Sequence, residues 1–433
     1  MRHLTGLTLA LSLSTCAFAE GAPSRPSVDA PELAGLGEHS VGYRTVAPVD
    51  QGAVDVLAID PASGVAPKRS RPLGVDLWYP AMMAADAVPV TYAGSFTAEP
   101  PAAPTKFTRP GIAVRNAKAM AGRFPLVIVS HGYDNDPVAF SWLTENLASK
   151  GYVVAAIRHA DPPITDRAGF PELLLRRPLD IAFVARVLPG ALGDAPAIDP
   201  TRVALVGYSM GGYGVLTASG GELDPASPAV GIVPGGLLKS YARGGAARDA
   251  VRVAGVKAVV VLAPAGGSLN AWGAEGLRGI ATPLLLIAGD RDGTVDYASG
   301  ARAFFDQATA SNRYLLTYLN GGHHIGLGPA PEEMRHRLWD QDWFEDPVWS
   351  QSRIVGINLH FITAFLDRYV KDDASRAAYL DGLTPRSNDG AWPPSGGEPY
   401  GGYSPGTASI TVWKGFQRGH AEGLELLHKA PGD

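Results

Sequence analysis

The stretch TRVALVGYSMGGYG, residues 201–214, decides the fold of this chain. Its apolar run at residues 203–206 predicts a buried parallel strand. A G-x-S-x-G pattern centred on Ser209 follows at once, where a strand is expected to turn into a helix. The glycines of this pattern lack the Cβ atoms that would obstruct so tight a turn. The stretch therefore predicts a serine nucleophile, with the backbone N–H of Met210 facing the position where an oxyanion would form.

The acid of the predicted site follows the apolar run at residues 284–288. A glycine-rich turn with an incidental serine has the same letters, so the serine needs a base and an orienting acid further along the chain. Two aspartates compete. We choose Asp292 because it lies deeper in the loop and precedes Gly-Thr-Val, whereas Asp290 beside the strand is expected to cap the turn. A plain acidic surface loop is the alternative for both.

The base is expected from a histidine pair, His323 and His324, which follows two glycines and the apolar run at residues 314–319. The glycines allow this loop to bring an imidazole over Ser209. We choose His324 as the general base and expect His323 to pack or hydrogen-bond within the loop. A metal site at the pair is the other interpretation. Because no Asp or Glu stands beside it at ligand spacing, we predict no metal.

The second oxyanion donor is expected in the loop after the apolar run at residues 124–130, where the sequence reads S-H-G-Y. The His-Gly pair permits a sharp turn, and the backbone N–H of Tyr133 is predicted to face the pocket. The rings of Tyr133 and Tyr208 are predicted to wall the acyl site, although an aromatic ring that closes a turn is the alternative for Tyr133. Four tryptophans are expected either to form an aromatic rim around the site or to fix loops to the core: Trp272, Trp339, Trp343 and Trp349.

Apolar runs alternate with helical patterns between residues 124 and 370. The runs at residues 125–130, 152–157 and 256–262 read as buried strands, and residues 352–370 form a strongly amphipathic helical pattern. Such alternation predicts a parallel sheet with right-handed crossovers and helices on both faces. We predict a single domain over residues 20–370.

Upstream of this pattern, residues 40–46, 53–59 and 73–79 predict β-strands at an antiparallel N-terminal edge. The last of them ends at Pro80, as an edge strand would. Residues 81–122 are rich in Ala and Pro and have no clear period, so we predict a long surface excursion there.

Two later regions also depart from the alternation. Residues 220–254 contain repeated Gly and Pro turns and predict a loop over the carboxyl edge of the sheet, a candidate lid. Residues 371–433 predict a tail that packs on the domain, with a short strand at residues 409–413 and a helix near residues 421–428.

The N-terminus predicts a signal peptide over residues 1–19, because a short apolar run at residues 4–13 precedes an Ala-Phe-Ala cleavage pattern. This run is too short for a stable membrane anchor. The only cysteine, Cys16, lies inside the segment, and a lipoprotein anchor on Cys16 is the less favoured alternative. Cleavage after Ala19 would leave a mature chain without thiol chemistry. We predict export to the periplasm or the outside.

Composition limits the remaining classes. The chain has 433 residues, is 46% hydrophobic and carries a formal charge of −5, which suits one large domain or two smaller ones. So modest and mixed a charge gives no indication of nucleic acid as a partner. No later stretch reaches the length of a transmembrane helix. The sequence does not indicate an oligomeric state.

Residues from about 73 to 370 resemble the α/β-hydrolase fold, and more narrowly the branch of platelet-activating-factor acetylhydrolases, dienelactone-hydrolase-like proteins and bacterial cutinases. Five motifs carry the resemblance: RPLGVDLWYP at 71–80, SHGY at 130–133, GYSMGG at 207–212, DGTV at 292–295 and GGHH at 321–324. The resemblance implies hydrolysis of carboxylic esters through an acyl-serine, without a cofactor. It also selects Asp292 and His324 as acid and base.

The chain departs from dienelactone hydrolases, whose nucleophile is cysteine, and from cutinases in residues 220–254 and in the tail. These departures concern the substrate more than the chemistry. We therefore predict an exported serine hydrolase that acts on a small-molecule or lipid ester, with a short-to-medium acyl group as the first expectation. The alternatives are a phospholipid acyl hydrolase of the platelet-activating-factor acetylhydrolase type, a serine peptidase and a non-catalytic secreted binding protein.

Overall fold

A computed structural model describes Asp29 and residues 31–60, 62–191, 197–392 and 409–433. The predicted signal peptide and Cys16 lie outside these residues. The described strands are β1 Ser40–Val46, β2 Val49–Val54, β3 Lys68–Pro72, β4 Gly74–Ala81, β5 Pro89–Phe96, β6 Thr105–Arg115, β7 Arg123–Ser130, β8 Val153–Arg158, β9 Ala197–Tyr208, β10 Val256–Leu262, β11 Leu284–Gly289, β12 Arg313–Tyr318 and β13 Leu424–Lys429.

Eleven of these strands form one sheet in the order β13-β12-β11-β10-β9-β7-β8-β4-β1-β6-β5, and β2 pairs with β3 apart from it. The six strands from β7 to β12 run parallel. Their sequences are apolar runs because both faces of the central sheet are buried. The predicted α/β class, with a mostly parallel central sheet, is confirmed.

Helices cover both faces of the sheet. The α-helices are α1 Ser141–Ser149, α2 Phe170–Ala191, α3 Met210–Ala218, α4 Pro228–Ile232, α5 Ala303–Gln307, α6 Leu338–Gln341 and α7 Gln351–Val370, and a short π-helical turn at Ala298–Arg302 precedes α5. Along β7, Val127 and Val129 join the hydrophobic core beneath α1 and α7. Their neighbours Leu126 and Ile128 join the second core, beneath α2, α3 and α5. Alternate side chains of one strand thus supply two separate cores.

The N-terminal edge of the sheet is antiparallel, because β4 pairs antiparallel with both β8 and β1. Two predictions in this region are wrong. Pro80 lies inside β4, which has neighbours on both sides and is not an edge strand. Residues 81–122 contain β5 and β6, which extend the sheet beyond β1. Only one face of β5 is buried, through residues such as Tyr92 and Phe96, so its apolar signal is short and broken by Ala and Gly.

The C-terminal tail completes the opposite edge. The helix predicted near residues 421–428 is instead strand β13, which pairs antiparallel with β12. Leu424 and Leu426 point to the core, while His428 stacks on Tyr314 at 4.4 Å. The six-residue run has leucines at positions 424, 426 and 427, so it contains both the spacing of two that fits a strand and the spacing of three that fits a helix, and the free edge of β12 decides between them. The strand predicted at residues 409–413 is irregular backbone.

The parallel order places four loops at one edge of the sheet, because the carboxyl ends of β7, β9, β11 and β12 lie there. These loops carry Tyr133, Ser209, Asp292 and the histidine pair. Within the described ranges, no helix combines the length and apolar character needed to cross a membrane.

Candidate active site

Ser209 occupies the turn between β9 and α3. Its backbone is held at φ 52° and ψ −117°, a region that non-glycine residues rarely adopt. The close packing explains the flanking glycines: a Cβ on Gly207 would lie 2.3 Å from the carbonyl oxygen of Gly211, and a Cβ on Gly211 would lie 1.9 Å from that of Ser130. The predicted strand-turn-helix context of Ser209 is therefore present, and its hydroxyl faces the cavity described below.

The Ser209 hydroxyl, a histidine and an aspartate form one chain of hydrogen-bonded side chains. The Nε2 atom of His323 lies 3.0 Å from the Oγ atom of Ser209, and its Nδ1 atom lies 2.8 Å from the Oδ2 atom of Asp292. An Nδ1–H that donates to the carboxylate leaves Nε2 free to accept the serine proton. The side chains have the connectivity of a serine hydrolase triad.

The sequence-based choice of His324 as the base is wrong, because a different imidazole contacts Ser209. The turn His323–Gly326 begins at His323, whose ring lies over the serine and 5.1 Å from the ring of Tyr208. The neighbouring His324 also lines the cavity, but its buried Nδ1 atom has no partner within the described residues. Consecutive residues in a helical turn point in different directions, and the sequence of the pair contains no signal that identifies which ring faces the serine.

Asp292 is almost completely buried and fully hydrogen-bonded. Its Oδ1 atom accepts hydrogen bonds from the backbone N–H groups of Thr294 and Val295 at 2.9 and 3.0 Å. Burial raises the pKa of the Asp292 carboxyl, but the hydrogen bond and charge of His323 and these backbone donors outweigh it and hold that pKa below its ordinary value. Asp290 instead accepts a hydrogen bond from the N–H of Asn320 and so closes the loop, as expected of a turn-capping residue.

The histidine loop is held by Asp346, which sequence reasoning did not single out, and by Tyr208, which was expected only to wall the acyl site. Asp346 accepts a hydrogen bond from the N–H of Gly322 at 2.7 Å, directly before His323. The phenol of Tyr208 donates to the backbone carbonyl of His323 at 3.3 Å, and burial raises the pKa of this phenol so that the proton stays in place. These contacts fix the backbone on both sides of the imidazole.

Tyr133 and Met210 both line the cavity over Ser209, as does Tyr208. Within the part of the chain that the structure describes, neither the Tyr133 nor the Met210 backbone N–H donates a hydrogen bond to another protein group. The Tyr133 ring packs on Phe170 at 5.8 Å, and its hydroxyl donates to the carbonyl of Pro163. The ring therefore both walls the cavity and ties two loops together.

The cavity over Ser209 has a volume of about 720 Å³. Five aromatic residues contribute to its walls: Tyr133, Phe170, Tyr208, Trp339 and Trp343. Of the four candidate tryptophans, the other two are structural: Trp272 packs on Tyr213 and Phe304, and Trp349 packs on Tyr318.

The candidate lid, residues 220–254, lies away from the cavity over Ser209. No residue of 220–254 lines this cavity, and apolar side chains of that region, such as Val230 and Leu238, are buried in the core beneath α2 and α3. The lining of the cavity instead includes residues from two other segments: Ile164, Thr165, Arg167 and Phe170, and Trp339, Asp342 and Trp343. The described residues contain no cluster of three or more His, Cys, Asp or Glu side chains that could hold a metal ion.

Known proteins resemble this chain over different parts. Residues 103–165 match the family model described as platelet-activating factor acetylhydrolase, isoform II. A cutinase, est1 from Thermobifida alba, is 26% identical over 199 residues, which cover 46% of this chain and 53% of the cutinase. The chain thus spans about half the length of that relative.

Among solved structures, a ferulic acid esterase from Streptomyces cinnamoneus is 21% identical, with a TM-score of 0.50 over 79% of this chain and 94% of the esterase. This likeness shows a shared fold. Together with the topology, the comparisons show that the chain has an α/β fold and that it is similar to proteins of the α/β-hydrolase branch that its sequence motifs resemble. The relatives that are named for an activity are ester hydrolases.

Proposed function

We propose that this protein is a serine hydrolase that cleaves carboxylic esters through an acyl-serine intermediate. The observation that carries the proposal is the line of three side chains, with 3.0 Å between Ser209 Oγ and His323 Nε2 and 2.8 Å between His323 Nδ1 and Asp292 Oδ2. The esterase-like relatives support the same reaction class.

In this proposal, Ser209 Oγ attacks the ester carbonyl while His323 Nε2 accepts its proton. The buried Asp292 carboxylate fixes the imidazole tautomer and stabilises the imidazolium. The N–H groups of Met210 and Tyr133 donate to the oxyanion, and a lost donor of this kind costs about 10²–10³ in kcat. His323 then protonates the leaving alcohol, and a water molecule activated by His323 hydrolyses the acyl-serine.

The lining of the cavity supports an apolar or aromatic ester as substrate. A volume of about 720 Å³ lies within the usual range for small-molecule sites. Aromatic residues, together with Ile164, Leu269 and Val295, form the apolar part of the walls, and the charged residues Arg167 and Asp342 also line the cavity. We therefore propose short-to-medium acyl esters, including esters with aromatic groups, and the names cutinase and ferulic acid esterase are consistent with this class.

The test is turnover of p-nitrophenyl acetate, butyrate and octanoate by the protein without residues 1–19. We expect hydrolysis that the Ser209→Ala variant lacks. A Ser209→Ala rate within tenfold of the wild type would contradict the proposed nucleophile. A peptide p-nitroanilide of matched size distinguishes a peptidase from an esterase. A peptidase would cleave this amide without preferring the ester.

A phospholipid acyl hydrolase is the second candidate, and the family match at residues 103–165 favours it. The rim of the cavity supports it as well, because Leu338 is 83% exposed beside the lining residue Trp339. Activity that rises sharply when a short-chain phosphatidylcholine passes its critical micelle concentration would favour this candidate. Equal rates on monomers and micelles would favour soluble esters.

Export is also a proposal, supported by the apolar run and Ala-Phe-Ala pattern within residues 1–19. Mass spectrometry of the protein secreted from a bacterial host tests it. We expect a mature chain that begins at Glu20, and a chain that keeps Met1 in the cytoplasmic fraction would contradict export.

A further inference from the structure

Arg177 of helix α2 is a completely buried cation beside the loop that carries Tyr133. Its guanidinium donates to the backbone carbonyl of His131, to that of Gly132 at 2.9 Å and to the hydroxyl of Ser130 at 3.3 Å. It also forms an ion pair with Asp161. A buried charge needs a partner and several acceptors, and this guanidinium has both.

The two backbone carbonyls are the informative partners. In a planar trans peptide, the C=O and N–H groups of one unit point in opposite directions. The Gly132 carbonyl belongs to the same peptide unit as the Tyr133 N–H. The Gly132 carbonyl oxygen accepts hydrogen bonds from Arg177, from the Nδ1–H of His131 and, at 3.3 Å, from the backbone N–H of Asn135, so the Tyr133 N–H of the same planar unit points away from these donors.

We propose that Arg177 is the positioning residue of the oxyanion loop, holding two successive carbonyls so that the Tyr133 N–H faces the ester carbonyl. This inference rests on the proposed ester hydrolysis. A lysine ammonium cannot replace the guanidinium, because its point charge lacks the planar fork that reaches both carbonyls and the carboxylate together.

The position of Arg177 is itself fixed relative to Ser209. A Cβ on Gly214 of helix α3 would lie 3.2 Å from the Cβ of Arg177, so α2 and α3 are in close contact at this point. Helix α3 begins at Met210, the other proposed oxyanion donor. Arg177 therefore connects the elements that carry both donors.

A second chain of hydrogen bonds supports the oxyanion loop from outside the cavity. The Ser130 hydroxyl lies 2.9 Å from His159 Nε2, and His159 Nδ1 lies 2.9 Å from Asp180. Arg71 pairs with the same carboxylate at 2.7 Å. This second chain of hydrogen bonds has the residue types of a catalytic triad, but Ser130 and His159 are buried and outside the cavity lining, so it serves to anchor the loop.

The test compares Arg177→Lys and Arg177→Met with a matched control, Arg313→Lys. Arg313 is equally buried and also donates to backbone carbonyls, including that of Ala430, but it begins β12 at the edge opposite the site. For each variant we would measure Tm, kcat and KM with p-nitrophenyl butyrate, and the inhibition constant of a trifluoromethyl ketone. This ketone forms a tetrahedral oxyanion on the serine.

We expect both Arg177 variants to lose about ten- to a hundredfold in kcat, part of the effect of a lost oxyanion donor, with KM within threefold. Affinity for the trifluoromethyl ketone should fall in parallel, whereas Arg313→Lys should lower Tm without changing kcat more than twofold. If Arg177→Met yields no soluble protein, Arg177→Lys and Asp161→Asn carry the comparison, with losses of the same kind.

An active wild type whose Arg177→Lys variant keeps kcat and ketone affinity within twofold would overturn the positioning role. So would a loss confined to Tm and KM. Failure of the proposed function looks different, because the wild type itself would then be inactive on esters or Ser209→Ala would retain the activity.

Discussion

The assignment of the base to one histidine of an adjacent pair gives the sharpest prediction. Replacing His323 by Ala removes both the acceptor 3.0 Å from Ser209 Oγ and the donor 2.8 Å from Asp292. General acid–base catalysis contributes about 10²–10⁴, and the loss of a triad histidine can cost about 10⁶ in kcat. We expect His323→Ala to lower kcat at least a thousandfold, which corresponds to about 4 kcal/mol of barrier.

His324→Ala is the matched control, one residue along the chain and on the same cavity wall. It removes no contact with Ser209 or Asp292, and the Nδ1 atom that it deletes is buried without a partner in the described structure. Loss of an unsatisfied polar atom does not cost a hydrogen bond, so the free energy of unfolding should change little. We expect kcat within tenfold of the wild type, and a KM effect that depends on the acyl group.

The assay is steady-state hydrolysis of p-nitrophenyl butyrate by both variants, with Ser209→Ala prepared alongside to measure the background. Circular dichroism and Tm verify that each variant is folded. If His324→Ala proves the more damaged enzyme, or if His323→Ala retains more than a tenth of wild-type kcat, the geometric assignment is refuted.

Three further predictions concern the acid, the turn and a buried amine. Asp292→Asn should lower kcat about a thousandfold with little change in KM, because the amide favours the wrong imidazole tautomer; kinetics within tenfold of the wild type would contradict this. Gly211→Ala should cost at least 1–3 kcal/mol in urea unfolding, since its Cβ would lie 1.9 Å from the Ser130 carbonyl, whereas Gly231→Ala, with open space around it, should be tolerated; equal effects would argue against the packing account. Burial lowers the pKa of Lys150 to about 7, with Asp367 opposing the shift and Lys371 and Arg376 adding to it. The unfolded chain therefore binds more protons between pH 7 and 10, so the wild type should gain up to about 2 kcal/mol over Lys150→Met from pH 7.5 to 9.5, and parallel stability curves would contradict it.

Much of the site was predictable because its signals are local. The G-x-S-x-G turn demands glycine at Gly207 and Gly211 for steric reasons, so the sequence could place Ser209 on a tight turn between a strand and a helix. Asp292 could be chosen over Asp290 because it lies deeper in the loop and precedes Gly-Thr-Val. In the structure, the N–H groups of Thr294 and Val295 in that turn donate to its carboxylate.

The remaining features depend on three-dimensional context. Whether His323 or His324 faces the serine depends on the course of the loop after β12, which Asp346 and Tyr208 fix from distant positions in the chain. Strands β5, β6 and β13 are defined by the free sheet edges that they cover, since their own apolar patterns are short. Arg177 is one arginine in a helical segment, and only the fold brings it to the oxyanion loop.

The proposed mechanism depends on two assignments, Ser209 as the nucleophile and His323 as the base that activates it. Covalent labelling by a fluorophosphonate ester, followed by intact mass and peptide mapping, tests both parts in one experiment. We predict a single adduct on Ser209 in the wild type, formed far more slowly in His323→Ala and at an ordinary rate in His324→Ala. An adduct on another residue would contradict the assignment of Ser209 as the nucleophile. A wild type that hydrolyses esters but is not labelled at Ser209 would contradict it as well.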